Sequence, residues 1–517
     1  MNAASEASAT PADGQPPLTE FLSRTGAPVV AARPWSRHVL DAAQWELLAG
    51  RLASTGWTLA GLWAEPGMVH AALRDEPAGT VAIASLPCPD GRFPSLSGVR
   101  PGAVRLERAI RDLHGLEPVG LADVRPWLDH GRWPVVHPLG ACAPRSGPPE
   151  PYPFLPVEGE SLHQVPVGPV HAGIIEPGHF RFTASGETVV RLEQRLGYVH
   201  KGTESLMLGA PLGRAARLAG RLSGDSTVAW ALAFARAVEA ACGVEPPPRA
   251  VWLRALMAEL ERIANHVGDF GAVCNDAAFV LMHAHCGIWR ERVLQAADAA
   301  FGHRLMMDRV VPGGVAVDPP PAALQGIGRL MQDLSRAFPR LVELYENTSS
   351  LQDRTVTTGI AAPGLVRRFA AGGHVGRASG RSYDARRNPG YPPYDSLQFE
   401  IPVRSAGDVD ARVRIRILEI GQSIGLVEQI LDRLPDGPVR ADIAPAAGEG
   451  MALVESFRGD LLLWLRLGGD GRVERCHPRD PSWFQWPLLE AAIKDNIIAD
   501  FPICNKSFNC AYSGHDL

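Results

Sequence analysis

Apolar positions along the chain switch between helical and strand spacing, and the switches mark out its segments. Residues 36–54 place Val39, Leu40, Trp45, Leu47, Leu48 and Leu52 at helical spacing. Short apolar runs at 57–63, 68–73 and 80–86, separated by turn residues, predict strands. Residues 104–113 return to a helical pattern and carry Glu107, Arg108, Arg111 and Asp112. Residues 19–142 therefore read as a small α+β domain. The stretch 143–156, APRSGPPEPYPFLP, holds too much proline for a helix or a central strand and predicts a linker.

A second unit, 157–517, starts with strand signals at 179–183 and 187–192 and then turns mainly helical. The strongest predicted helix is 249–267, where Val251, Leu253, Leu256, Leu260, Ile263 and Val267 form one apolar stripe. Pro246, Pro247 and Pro248 precede it, as suits a helix start. A further helical pattern covers 411–434. The expected fold class is α+β: a small α+β domain, then a mainly α domain with a β-rich start.

Composition narrows the function classes. A hydrophobic share of 46% with 21% charged residues is an ordinary globular balance. The net charge of -5 gives no reason to expect nucleic acid or an anionic membrane surface as partner. Residues 1–18 lack a basic segment followed by an apolar one, so they read as a disordered tail and not a signal peptide. No apolar run reaches the roughly 18 residues that span a bilayer; the best candidate, 228–244, is interrupted by Arg236 and Glu239. Work at a membrane would therefore go through partner subunits.

The eight cysteines, at 88, 142, 242, 274, 286, 476, 504 and 510, include no Cys-x-x-Cys pair and read as buried reduced thiols. Cys274, His283, His285 and Cys286 suggest a metal cluster by proximity, but on a helix His283 and His285 point about 200° apart. His283 with Cys286 leaves only two ligands, short of a zinc site. The Gly313–Gly314 and Gly372–Gly373 pairs lack the strand–loop–helix setting of a nucleotide fingerprint, so no NAD site is expected.

Seven stretches, in order, resemble one family. PSLSG at 94–98 and LERAIRDLHG at 106–115 are similar to the 30-kDa subunit of complex I. GPVHAGIIEPGHFRF at 168–182, GYVHKGTE at 197–204, ERIANHVGD at 261–269, RASGRSYDAR at 377–386 and GDVDAR at 407–412 resemble the 49-kDa subunit and the large subunits of group 4 nickel–iron hydrogenases. The fusion of the two units resembles the hydrogenase-3 and hydrogenase-4 large subunits.

The resemblance implies a definite chemistry. A nickel–iron centre takes four soft thiolates from two Cys-x-x-Cys pairs, one near each end of the large subunit. The first pair would lie in RLSGDS, 221–226, where the ligand positions are Ser223 and Ser226. The second would lie in DFPICNKSFNCAYSGHDL, 500–517, at Cys510 and Ser513. At most one thiolate survives, and a serine hydroxyl stays protonated and hard. The family then implies no hydrogenase activity of this chain's own. The end at Leu517 likewise fits a chain that undergoes no metal-dependent maturation.

In the quinone-reducing branch, a His of the β-rich start and a Tyr near 221–228 would bracket the headgroup; here His171 and His179 are available, with Asp225 and no Tyr. Glu176 and His179 lie where the hydrogenases carry a Glu-Gly-His stretch linked to proton movement. Asp384 and Arg386 lie on a loop that in the family approaches the cavity, and they read equally as a plain ion pair. The implied protein is a cytoplasmic, peripheral-arm subunit with no cofactor of its own. It would dock an iron–sulfur small subunit of the complex I B type, holding a 4Fe–4S cluster, on antiporter-like membrane subunits. A quinone-reducing subunit and a purely structural scaffold are the alternatives.

Overall fold

The computed structural model describes residues 16–172 and 175–517; residues 1–15 of the expected tail lie outside the described residues. The chain divides into two compact units, Met1–Pro149 and Glu150–Leu517.

In the first unit, strands β1 (Ala27–Val29), β2 (Arg37–Val39), β3 (Thr58–Glu65), β4 (Met68–Asp75) and β5 (Thr80–Pro87) form one sheet in the order β1-β2-β5-β4-β3. Only the β2–β5 pairing is parallel. Helix α1 (Leu18–Thr25) packs on β5 and α3 (Ala103–His114) on β3. The predicted 36–54 helix is shorter than its apolar pattern. Residues 37–39 are strand β2, and α2 (Ala42–Ser54) starts only at Asp41, whose carboxylate accepts the Gln44 N–H in a capping box. The charged residues of α3 do structural work inside this unit. Glu107 accepts from Ser95 Oγ and Leu96 N–H at 2.6 Å each, and Asp112 from the N–H groups of Trp127, Leu128 and Asp129. They tie loops that have no sheet partner for their backbone groups.

The second unit starts with an antiparallel sheet of β6 (Leu162–Val167), β7 (His179–Ser185) and β8 (Thr188–Arg195). Residues 152–156 are fastened to it. Arg181 lies 3.8 Å from the centre of the Phe154 ring and Arg195 4.3 Å from that of Tyr152, while Leu155 N–H donates to Glu193.

Helices α4 (Thr227–Cys242), α5 (Pro248–Asp276), α6 (Val280–Phe301), α7 (Pro321–Asn347) and α8 (Val409–Arg433) make the core, with α5 packed on both α6 and α8. On α5, Leu253, Leu256, Leu260, Ile263 and Val267 are fully buried. The opposite face is buried as well and carries Arg254, Glu259, Glu261, Arg262, His266 and Asp269. An amphipathic reading therefore underestimates α5, because its polar face is covered by partners that the sequence does not place.

A second antiparallel sheet, β9 (Gly448–Ser456), β10 (Gly459–Leu467) and β11 (Val473–Arg479), does not follow from the pattern. Its strands are buried on both faces, so the period-2 signal is lost. Helices α9 (Ser482–Ala492) and α10 (Phe501–Phe508) follow. Among the described residues no helix is long and apolar enough to cross a membrane.

Helix α4 lies directly on β9, and at Gly450 a Cβ would overlap the Ala237 carbonyl of α4. Gly450→Ala should therefore destabilise the protein by about 3 kcal/mol, read as a lowered urea midpoint, although the added volume is a single methyl.

Candidate functional site

Two segments distant in sequence meet in the second unit: the turn 223–226 that feeds α4, and residues 509–513 beyond α10. Arg458, from the turn between β9 and β10, joins them. Its Nη1 and Nη2 donate to Asp225 Oδ1 and Oδ2 at 2.8 and 2.6 Å. Nη1 also donates to Ser226 Oγ at 3.1 Å, and Nε to the Asn509 carbonyl at 2.5 Å. Ser223 Oγ and Ser226 Oγ both donate to Asp225 Oδ1, at 2.7 and 3.2 Å.

Local conformation sets these groups in place. Ser223 is extended and heads a single 3-10 turn, Gly224–Ser226, which runs straight into α4. Asn509 has φ 48, a left-handed conformation that Asn tolerates at a helix C-terminus, and it turns the chain after α10. Its Nδ2 donates to both Asp269 oxygens at 2.9 and 3.0 Å, and Asp269 also pairs with Arg416 at 3.1 Å.

The electrostatics follow from this geometry. Burial pushes the Asp225 carboxyl up, but the Arg458 charge and hydrogen bonds, aided by the two hydroxyls, outweigh it and hold the pKa down at about 2. Glu261 on α5 accepts the Val228 and Ala229 N–H groups at the start of α4, at 2.7 and 3.1 Å. Burial dominates there, Asp225 repels a second charge, and the Glu261 pKa rises to about 8. Lys201 donates to the Arg221 and Leu222 carbonyls at 3.1 and 2.8 Å, with burial lowering its pKa.

The other residues singled out from sequence divide into four groups. Cys510 is buried with Sγ 4.0 Å from Gln485 Oε1, and Ser513 N–H donates to Glu176 Oε2 at 3.1 Å, so Glu176 does reach the second segment. His171 and His179 instead turn to loop backbone: His171 Nε2 lies 2.8 Å from the Gly178 carbonyl, and His179 Nδ1 3.4 Å from that of Gly168. Burial lowers the His179 pKa, with Arg181 and His171 adding to the effect.

Asp384 and Arg386 belong to a buried ion-pair network. Arg386 Nε and Nη2 donate to Asp384 at 3.0 and 2.7 Å and Nη1 to Glu259 at 3.0 Å. Glu259 also accepts from Tyr394 and Ser423. Arg377 links Asp384, Glu455 and Glu419, and His266 Nε2 lies 2.7 Å from Glu419 Oε2. Of the apparent cysteine–histidine cluster, His283 and His285 are exposed on α6, whereas Cys274 and Cys286 are buried thiols; burial lifts Cys286 to about 12. Among the described residues no group of three or more His, Cys, Asp or Glu side chains could hold a metal ion. All eight cysteines are free, but Cys142 is exposed and Cys242 half-buried, against the expectation of buried thiols throughout.

Sequence reasoning missed Arg458 and Asn509. Arg458 sits in the turn of an unanticipated sheet, more than 200 residues from its partner, and only its neighbourhood in an apolar run marks it. Glu261, His266 and Asp269 all lie in the ERIANHVGD stretch, which carries the family likeness without assigning roles to its polar residues.

Residues 72–148 match the family described as the respiratory-chain NADH dehydrogenase 30 Kd subunit, and 277–447 and 439–516 match its 49 Kd subunit. Formate hydrogenlyase subunit 5 of Escherichia coli (strain K12) is 30% identical over 82% of this chain and 77% of its own length. Hydrogenase-4 component G of the same organism is 31% identical over 84% and 78%. An NADH-quinone oxidoreductase subunit of Roseiflexus sp. (strain RS-1) is 34% identical over 65% and 94%. The chain belongs to the family of fused 30-kDa/49-kDa subunits of complex I-like and group 4 hydrogenase-related complexes. It is a peripheral-arm subunit of a membrane complex of that type.

Because the folded pKa of Asp225 lies at about 2, below its ordinary 3.8, its ion pair stabilises the fold above that ordinary value. The contribution disappears as pH falls through the folded pKa. The difference in urea midpoint between wild type and Asp225→Asn should therefore be present at neutral pH and shrink steadily from about pH 4 downward.

Proposed function

We propose that this chain is a large subunit without a nickel–iron centre of its own, which shapes the cavity beside an iron–sulfur small subunit. The carrying observation is the Arg458 bridge: the two segments where the family places its ligands are joined by a guanidinium–carboxylate pair. The residues present do not fit the metal. Three of the four positions offer hydroxyls, and two of those hydroxyls are spent on Asp225. A cationic guanidinium at the junction also disfavours a divalent metal there.

In this role the chain holds a rigid, charged wall against which a partner's 4Fe–4S cluster passes electrons. Antiporter-like membrane subunits would couple that chemistry to ion movement. The partners are an iron–sulfur subunit of the complex I B type and those membrane subunits, at the cytoplasmic face.

A second reading, quinone reduction at the subunit interface, is favoured by the buried His179 Nε2, which has no hydrogen-bond partner, and by the quinone oxidoreductase relatives. Glu176, at 3.1 Å from the second segment, would serve proton movement in either reading.

The complex should be isolated through a tag on this chain and assayed with reduced viologen. It should co-purify an iron–sulfur protein with a 4Fe–4S electron paramagnetic resonance signal and evolve no hydrogen. Hydrogen evolution contradicts the proposal, and isolation of the chain with no iron–sulfur protein favours the scaffold reading instead. Electron transfer from the reduced cluster to added quinone, abolished in His179→Ala, would establish the second reading.

A further inference from the structure

The sheet at the start of the second unit carries an open groove. Residues of the 152–157 segment wall it on one side and Leu162, His163 and Gln164 of β6 on the other, with Arg181 of β7 also lining a cavity of about 470 Å³. That volume falls in the range of ligand-sized clefts. None of the lining residues belongs to the junction.

The charge of this face is one-sided. Arg181 pairs in register with Glu193, and Thr183 with Arg191, so strand alternation puts Arg181, Arg191, Glu193 and Arg195 on one face. Three arginines stand there against one glutamate. Glu193 accepts the Leu155 N–H, and Arg191 donates to the Leu155 and Pro156 carbonyls at 3.1 and 3.0 Å. Arg181 differs from them. Its guanidinium lies over the Phe154 ring, yet among the described residues it makes no side-chain hydrogen bond and no ion pair, and its Nε is buried with no partner. Neither Glu158 nor Glu160, on the loop between the two walls, pairs with it. A guanidinium stacked on an aromatic ring and bare in its own plane is arranged to take a carboxylate through its fork of N–H groups.

The second observation is the strand beside the groove. β6 ends its sheet: it pairs with β7 on one side and has no strand on the other. His163, Gln164 and Pro166 on it are exposed, and a proline suits an edge strand. Such an edge offers backbone groups to one further strand.

We propose that the groove docks an acidic, extended segment of a partner subunit, which lies along the open edge of β6 and places a carboxylate on Arg181. A small anion would answer Arg181 and leave the edge open, whereas an acidic peptide answers both. Membership of a multi-subunit family supplies the partner. The docking holds whether or not the junction takes a metal.

The test uses the complex isolated through this chain, with His163 replaced by the photoreactive residue benzoylphenylalanine. Ultraviolet light should join it to one partner subunit, and mass spectrometry should place the joint in a segment that carries Asp or Glu. Arg181→Glu should cut the yield of that product about tenfold, since it sets like charges against each other at the contact. Changing the mapped acidic residue to Arg should then restore the yield, which a merely structural role of Arg181 would not allow. No product, a product with lipid, a segment without an acidic residue, a yield unchanged by Arg181→Glu, or a loss that the charge reversal does not mend each overturns the proposal. Should Arg181→Glu fail to assemble, Arg181→Gln takes its place: a reduced yield supports the proposal and an undiminished one overturns it.

Discussion

A single bidentate ion pair, Arg458 with Asp225, holds the centre of the second unit together. It closes the junction between the 223–226 turn and the 509–513 segment, and through Asn509 it connects to Asp269 and Arg416 on the core helices. With Arg458 buried and its charge answered, the two segments are held together without thiolates. Removing Asp225 strands the buried Arg458 charge in the interior, which costs far more than the pair contributes in net stability.

The same constraint extends through the core. Helices α5 and α8 bury charged residues that a simple amphipathic helix would expose. Glu259, Arg386, Asp384, Arg377, Glu419 and His266 are each paired with another member. Such a network fixes side-chain directions more sharply than apolar packing does, since a misplaced member is left unpaired in a low dielectric. The loop 381–386 is pinned by this network, with the Asp384 carboxyl held below its usual range because Arg386 overcomes its burial.

The sequence was legible where apolar runs are bounded by turn residues or where apolar positions recur at helical spacing. Strands β3 to β5 follow from such runs, and helix α3 and the apolar stripe of α5 from the helical period. The sheet β9–β11 was illegible because strands such as Leu461–Leu465 are apolar on both faces. The family was legible from ordered motifs, yet the motifs carried no roles for Glu261, His266 or Asp269. Asp225 stood out because it lies between Ser223 and Ser226. Its partner did not, because an ion pair across 233 positions leaves no periodic trace. One ring nitrogen of each of His171 and His179 lies against loop backbone, at the Gly178 and Gly168 carbonyls, contacts that the sequence pattern does not show.

Relatives of this chain bear names of hydrogenases and of quinone oxidoreductases, and the frame common to both branches is present here. What separates the possibilities is the content of the junction. The most direct measurement is the nickel and iron content, per mole, of the complex isolated through this chain. Iron equivalent to one 4Fe–4S cluster with no nickel is the predicted result. Nickel equimolar with the chain would contradict it, because Arg458 and Asp225 could not then hold the positions described.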